Sequence, residues 1–433
     1  MKTQIVILQF LILSFAALPV RAQSVPTAEN LQNRQNFQDM KFGVFIHWGI
    51  YSMLADGEWV MQIKNINHLE YRKLAEGFYP SKFNAQKWVA DVKAAGAKYI
   101  CITTRHHDGF SMFNSRFTGY NITDATPYKR DIIRELADEC HKQGIKLHFY
   151  YSLLDWDRED YYPRGETGKG TGRTGTSNWI TYHQFMKDQL TELLTNYGEI
   201  GAIWFDGKWD QPAEFDWKLQ ELYGLIHRIQ PGCLVINNHH LAPLDGEDAQ
   251  TFERDLPGQN TAGFSKDSSV GSLPLETCET MNKSWGYNIK DNNYKSEKEL
   301  LHYLVKTAGN NANLLMNVGP QPNGEFPAEA VSRMRKLGEW LDDYGETIYG
   351  TRGGVLKPRE WGVATRKDKN VYLHILNLKD STLLIPVSDI KIKSARIFIT
   401  KEKVKFKQNK DGILFNLSKV PDEIDYVLEL TIK

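Results

Sequence analysis

Apolar residues fall into two textures along the chain. Between residues 23 and 350, short apolar runs rich in β-branched and aromatic residues alternate with longer amphipathic stretches, as in repeated strand–helix units. The runs 42–47, 98–103, 146–151, 201–205, 234–237, 250–253, 277–281 and 313–318 are predicted strands. Helical periodicity is predicted over 85–95, 129–143, 179–197, 217–229, 297–308 and 327–344. In the second of these helices Ile132, Ile133, Leu136, Ala137 and Cys140 form one buried stripe, and Gly144 stops the helix. Eight strands interleaved with helices fit an α/β fold of (β/α)8-like, TIM-type barrel architecture over 23–350. After residue 353 the period becomes two, with apolar and charged positions trading places over 371–376, 382–387, 390–393, 395–400, 404–407, 413–416 and 426–432. That pattern predicts a C-terminal antiparallel β-sandwich over 351–433.

The N-terminus reads differently again. Lys2 precedes an apolar run over 5–20 that is interrupted by Gln9, Ser14 and Pro19, and Val20-Arg21-Ala22 ends it. This is the pattern of a signal peptide over 1–22, cleaved after Ala22, so the mature protein is expected to be exported, periplasmic or secreted, with no membrane insertion afterwards. The Gly/Thr-rich stretch 164–177 reads as a loop.

Composition narrows the ligand. Over 433 residues, 53 Lys and Arg balance 53 Asp and Glu, which gives no basic footprint for nucleic acid or for an anionic membrane. A small neutral ligand fits better. Aromatic residues make up 12% of the chain, and their flat faces suit sugars as well as cores. Cys101, Cys140, Cys233 and Cys278 lack the spacing of a zinc site or a disulfide scaffold and read as small core residues.

In a parallel barrel the reacting groups stand where strands run out at their C-terminal ends. Here the first four strands end in His47-Trp48-Gly49, Arg105-His106-His107-Asp108-Gly109, Tyr151-Ser152 and Trp204-Phe205-Asp206-Gly207. Asp206 directly follows a buried run and is held at the mouth, with Gly207 to turn the chain. Glycoside cleavage needs a second carboxyl, and Glu253, Glu276 and Glu279 compete for that role. Rim position favours Glu253, because Glu276 begins its strand and Glu279 lies within it. A metal is the main chemical rival, since His47, His106, His107, His239 and His240 are near strand ends. Neighbouring histidines on an extended strand point to opposite faces, however, so no metal site is expected. No Gly-x-Ser-x-Gly elbow or phosphate-cradling loop occurs, and no cofactor is expected.

The motifs Phe42-Gly-Val-Phe-Ile-His-Trp-Gly-Ile-Tyr-Ser, Gly57-Glu-Trp, Arg105-His-His-Asp-Gly-Phe, Tyr150-Tyr-Ser-x-x-Asp-Trp, Trp204-x-Asp-Gly and Asn313-Leu-Leu-Met-Asn-Val-Gly-Pro occur in this order. In them the chain resembles the α-L-fucosidases of glycoside hydrolase family 29 over essentially its whole mature length. The resemblance implies a barrel followed by a sandwich and a retaining exo-hydrolase of α-L-fucosyl linkages. Its partners would be fucosylated oligosaccharides or glycoconjugates. It further implies that Asp206 is the nucleophile and that His47, Glu58, His106, His107, Tyr151 and Trp204 bind the sugar. Trp59 and Trp285 would form the pocket wall. Glu253 is the match for the acid/base, with Glu276 as the fallback. An Arg expected after Asn237-Asn238 is absent, so its contact to the carboxylates is expected to be missing or to be replaced by His239. The alternative to an enzyme is a catalytically silent fucose-binding protein on the same barrel.

Overall fold

The computed structural model describes residues 25–176, 178–265, 269–386 and 390–433. The expected signal peptide, Ser177 at the end of the Gly/Thr-rich loop and Val387 at the end of one sandwich strand lie outside the described residues. Among the described residues, no helix is long and apolar enough to cross a membrane.

Eight strands form one parallel sheet: β1 Phe42–Ile46, β2 Tyr99–Arg105, β3 Lys146–Ser152, β4 Ala202–Asp206, β5 Leu234–Asn238, β6 Gln250–Glu253, β7 Leu275–Thr280 and β8 Ala312–Val318. Their order, β5-β4-β3-β2-β1-β8-β7-β6, brings β5 and β6 to the two edges. No ladder joins those edges, yet they meet at the parallel bridge between Ile236 and Ala249. Asp248, fully buried, holds this seam. Its backbone N–H donates to the Val235 carbonyl at 2.8 Å, and its Oδ2 accepts the Val235 N–H at 2.7 Å. Arg34 and His227 bind the same carboxylate at 2.6 and 2.8 Å.

The strands are buried on both faces, and strand parity decides which residues fill the barrel. Phe45, Tyr99, Cys101, Tyr150, Ala202, Trp204, Ile236, Cys278 and Leu315 share an interior cluster. Their neighbours Val44, Ile46, Ile100, Ile102, Phe149, Tyr151, Ile203 and Phe205 pack outward with the helices. Gly43 leaves space for the Tyr99 ring, which a Cβ there would run into. Glu276, completely buried in the same interior, accepts from Tyr99 Oη at 2.7 Å and from Trp204 Nε1 at 2.8 Å. Burial pushes its pKa up to about 7 against the pull of those two hydrogen bonds.

Each predicted helix is present within a few residues, and Asp131 caps Ile132–Gln143 by accepting from Arg134 N. The helix Ala28–Met40 was not expected, because it is polar almost throughout and buries only Asn30 and Phe37. Phe37 closes the barrel floor, its ring 5.5 Å from that of Tyr99.

The C-terminal strands are β9 Gly362–Lys367, β10 Asn370–Ile375, β11 Thr382–Pro386, β12 Ile392–Ile397, β13 Lys405–Asn409, β14 Gly412–Asn416 and β15 Tyr426–Ile432. They form sheets of order β12-β15-β10-β9 and β11-β14-β13, which enclose a core including Leu373, Leu383, Ile413, Phe415 and Leu428. Two expected strands over 390–400 are one, β12, with an irregularity between Ile392 and Ser394. β9 was not anticipated. It is a partner of β10 and packs Val363 against Gly309 of the helix Glu297–Gly309.

The seam generates a prediction. Asp248→Ala strands Arg34 and His227 and removes the acceptor of a buried N–H, so it should lower the unfolding free energy by about 3 kcal/mol. Denaturant titration measures it, and a loss under about 1 kcal/mol would mean that other contacts close the barrel.

Candidate active site

A cavity of about 330 Å³ opens where the parallel strands end, lined by Phe45, His47, Glu58, Trp59, His106, His107, Tyr150, Trp204, Asp206, Trp209, Asn238, His240, Glu253, Phe264, Cys278 and Trp285. Nine of the sequence-predicted positions are therefore brought together: His47, Glu58, Trp59, His106, His107, Trp204, Asp206, Glu253 and Trp285.

Two are not. Tyr151 shares the parity of Phe149 and turns away from the barrel, its hydroxyl donating to Gln189 Oε1 at 2.9 Å. Tyr150 takes the position expected of it, and its hydroxyl donates to Asp206 Oδ2 at 2.9 Å. Glu276 points inward, but two residues below the cavity-lining Cys278, where Tyr99 and Trp204 occupy both its oxygens. The fallback acid is thus a buried support beneath the site.

Asp206 is the end of β4, and Gly207 follows at φ 96°, a left-handed turn that suits glycine. Its Oδ1 accepts from Gly207 N at 2.8 Å and Trp209 Nε1 at 3.0 Å. Asn238, last residue of β5, has the parity of Ile236 and faces the cavity. Its Nδ2 donates to Glu253 Oε2 at 2.8 Å and reaches Asp206 Oδ1 at 3.4 Å. One nitrogen, 3.4 Å from Asp206 Oδ1 and 2.8 Å from Glu253 Oε2, thus ties the two carboxylates to the same cavity wall.

His240 also binds Glu253 Oε2, at 3.1 Å, through a residue whose φ of 62° turns the chain back toward the cavity. His239 instead pairs with Glu247 at 3.0 Å. Of the two histidines after the Asn pair, it is therefore His240, not His239, that contacts a carboxylate of the cavity. The expectation that adjacent histidines diverge also fails at His106 and His107. β2 ends at Arg105, strand parity lapses, and both rings line the cavity with centroids 4.2 Å apart. Among the described residues, no group of three or more His, Cys, Asp and Glu is placed to hold a metal ion.

Burial sets the electrostatics. It lowers His47 to about pKa 3 and takes His106 and His107 well below their ordinary value, so all three rings are neutral. Asn317 donates through Nδ2 to the Trp285 carbonyl at 2.7 Å, which directs its Oδ1 to His47 Nδ1 at 2.7 Å. His47 therefore carries its proton on Nδ1 and keeps Nε2 as an acceptor. Ser152 gives its hydroxyl proton to the Leu154 carbonyl and so accepts from His107 Nδ1 at 2.8 Å. Glu58 accepts from Gly286 N at 2.7 Å and is raised mainly by burial. Asp206 is pushed up to about 6, first by burial and then by the charge of Glu253. Glu253 is held below its ordinary value despite burial, because His240 and Asn238 both donate to it.

Two inward carboxyls at this spacing, neutral imidazoles and aromatic walls are what the hydrolysis of a sugar linkage needs. The alpha-L-fucosidase family profile matches residues 12–346. The chain belongs to the alpha-L-fucosidase family. It is 30% identical to human plasma alpha-L-fucosidase over 383 residues, covering 80% of this chain and 77% of the relative. Among solved structures, isoenzyme 1 from Paenibacillus thiaminolyticus is similar at a TM-score of 0.82 and 33% identity, covering 94% of this chain and all of that one. A family 29 enzyme from Bacteroides thetaiotaomicron, solved as a trapped covalent intermediate with a fluorinated fucosyl fluoride, aligns at a TM-score of 0.80 and 26% identity over 93% of this chain and 96% of its own. Membership makes this chain a glycoside hydrolase, and these relatives share its barrel and sandwich.

Phe45, Tyr150, Trp209, Asn238, Phe264 and Cys278 were not among the sugar-site candidates of the sequence, and His240 was one only as a possible metal ligand. Parity would have found Tyr150, since it lies two residues from the inward His148, and Asn238, two from Ile236. Trp209 lies on a single 3-10 turn and His240 and Phe264 on loops, none of which carries a period.

The two causes acting on Asp206 can be separated. Glu253→Gln removes the like charge but leaves burial, so the Asp206 pKa should fall from about 6 yet stay above its ordinary 3.8. Carboxyl 13C NMR of aspartate-labelled protein follows it; an unchanged or higher pKa would contradict this electrostatic account.

Proposed function

We propose that the protein is an exo-acting α-L-fucosidase that hydrolyses terminal α-L-fucosyl linkages of glycans with retention, through a fucosyl-enzyme intermediate. The observation that carries this reading is the Asn238 amide lying within reach of both Asp206 and Glu253. The reactive form has one proton on this pair, with Asp206 ionised and Glu253 protonated. Without substrate the proton favours Asp206, whose pKa burial and the charge of Glu253 raise against its donors, while His240 and Asn238 hold Glu253 below its ordinary value. A glycosidic oxygen arriving at Glu253 offers an acceptor where His240 offered a donor. The proton then exchanges through solvent to Glu253, and Asp206 ionises among Tyr150, Gly207, Trp209 and Asn238.

In the first step an oxygen of Asp206 bonds to the anomeric carbon, the glycosidic C–O bond breaks, and the proton of Glu253 passes to the leaving oxygen. In the second, Glu253 takes a proton from water, the water oxygen bonds to the anomeric carbon, and the bond to Asp206 breaks. The neutral rings of His47, His106 and His107, with Glu58, hold the sugar hydroxyls. Phe45, Trp59, Trp204 and Trp285 wall the cavity, and burying the C5 methyl against such rings contributes about 0.8 kcal/mol. The substrates are fucosylated oligosaccharides or glycoconjugates, met in the periplasm or outside the cell once the leader over 1–22 has been removed.

Variants test the roles against one another. Asp206→Gly should lose at least about 10³-fold in kcat on 4-nitrophenyl α-L-fucoside, and azide should restore part of it as a β-fucosyl azide. Glu253→Ala should hurt natural glycosides far more than aryl fucosides, whose leaving groups need less protonation. Glu276→Ala should act on both alike, through loss of the barrel floor. Leaving-group dependence at Glu276 rather than Glu253 would overturn the assignment, and a folded wild type that binds fucose without hydrolysing the aryl fucoside would make the protein a silent binder.

A further inference from the structure

The loop between β6 and β7 carries an aromatic residue that nothing in the fucose site uses. Phe264 lines the cavity and is 41% exposed. Its ring lies against that of His240, with centroids 5.7 Å apart, and His240 is bonded to Glu253. Phe264 therefore stands on the acid's side of the cavity, and the leaving group must depart on that side because Glu253 delivers its proton there.

The loop is built to hold this ring in place. Asp255, 2% exposed, accepts from Thr261 N at 2.9 Å and from Ala262 N at 3.0 Å, and also takes the Thr261 hydroxyl. Its own carbonyl accepts from Thr277 Oγ1 of β7 at 3.1 Å, which ties the loop to the barrel. Asn260 and Ser265 exchange two bonds, Nδ2 to the carbonyl at 2.9 Å and N–H to Oδ1 at 3.1 Å, and close the segment around Phe264. Gly263 supplies the left-handed φ of 83° that the turn requires. An apolar ring left in solvent on a braced loop, beside a proton donor, offers a flat face for a pyranose, whose axial C–H groups form a matching apolar patch.

We infer that Phe264 is the platform on which the ring of the sugar bearing the fucose rests, so that this side chain sets how strongly the site favours a ring-bearing leaving group over a small one. The inference rests on the hydrolase reading above and names the leaving-group side of that same site. His240 forms the inner edge of the platform and Glu253 its reacting end.

The test compares two substrates that differ only on that side: α-L-fucosyl fluoride, whose leaving group has no ring, and a disaccharide of fucose α-linked to galactose. Phe264→Ala should lower the disaccharide-to-fluoride ratio of kcat/KM roughly 5- to 10-fold, the size of one lost ring contact. Phe264→Tyr should restore the ratio. A ratio within about twofold of wild type in Phe264→Ala, or an equal fall on both substrates, would overturn the inference. Wild-type protein inert toward the fluoride would instead remove the hydrolase reading, and the platform with it.

Discussion

Two acidic side chains are kept close together in a cavity that disfavours charge, and the amide of Asn238 is the contact that spans them. Like charges at this range, away from bulk water, drive one another's pKa upward and push the groups apart unless donors intervene. Here Gly207, Trp209 and Tyr150 serve Asp206, while His240 serves Glu253. The distance is therefore not set by the two acids themselves. It follows from where β4, β5 and β6 end, and from the seam at Asp248 that fixes β5 against β6. A buried carboxylate thus ties together the two strands whose ends carry Asn238 and Glu253.

The support continues downward. Trp204 presents its ring to the cavity and its indole N–H to Glu276 below, and Tyr99 holds the other oxygen of that carboxyl. Sidewise, Tyr150 stacks on Trp204 at 5.7 Å while its hydroxyl holds Asp206. Aromatic residues thus do two things at once in this barrel: they exclude water, and their polar edges orient the acids. Glu276 belongs to the second layer of this arrangement, which is why an acidic residue so deeply buried in a family of acid-dependent hydrolases need not be the acid.

Much of this was legible in the chain itself. The eight strands and the polar groups at their ends follow from period and position, and the ordered motifs point to the family. Period-two parity was also available, and applying it would have exchanged Tyr151 for Tyr150. It fails where strands stop: His106 and His107 both reach the cavity because they lie past the end of β2. His240 and Phe264 depend on left-handed turns and on a loop braced by Asp255, and such contacts between residues distant in space leave no trace in local periodicity. The polar helix Ala28–Met40 was hidden for a related reason, since Phe37 is its one buried large apolar side chain and its other tertiary contacts, such as Arg34 to Asp248, are polar.

The spacing of Asp206 and Glu253 is tested most directly by the configuration of the sugar as it is first released. Proton NMR during the opening minutes of hydrolysis of an aryl α-L-fucoside, before mutarotation, should show α-L-fucose accumulating ahead of the β anomer. Initial appearance of β-L-fucose would mean that water attacks directly, and would contradict a pair of acids held close enough for Asp206 to form a bond to the sugar.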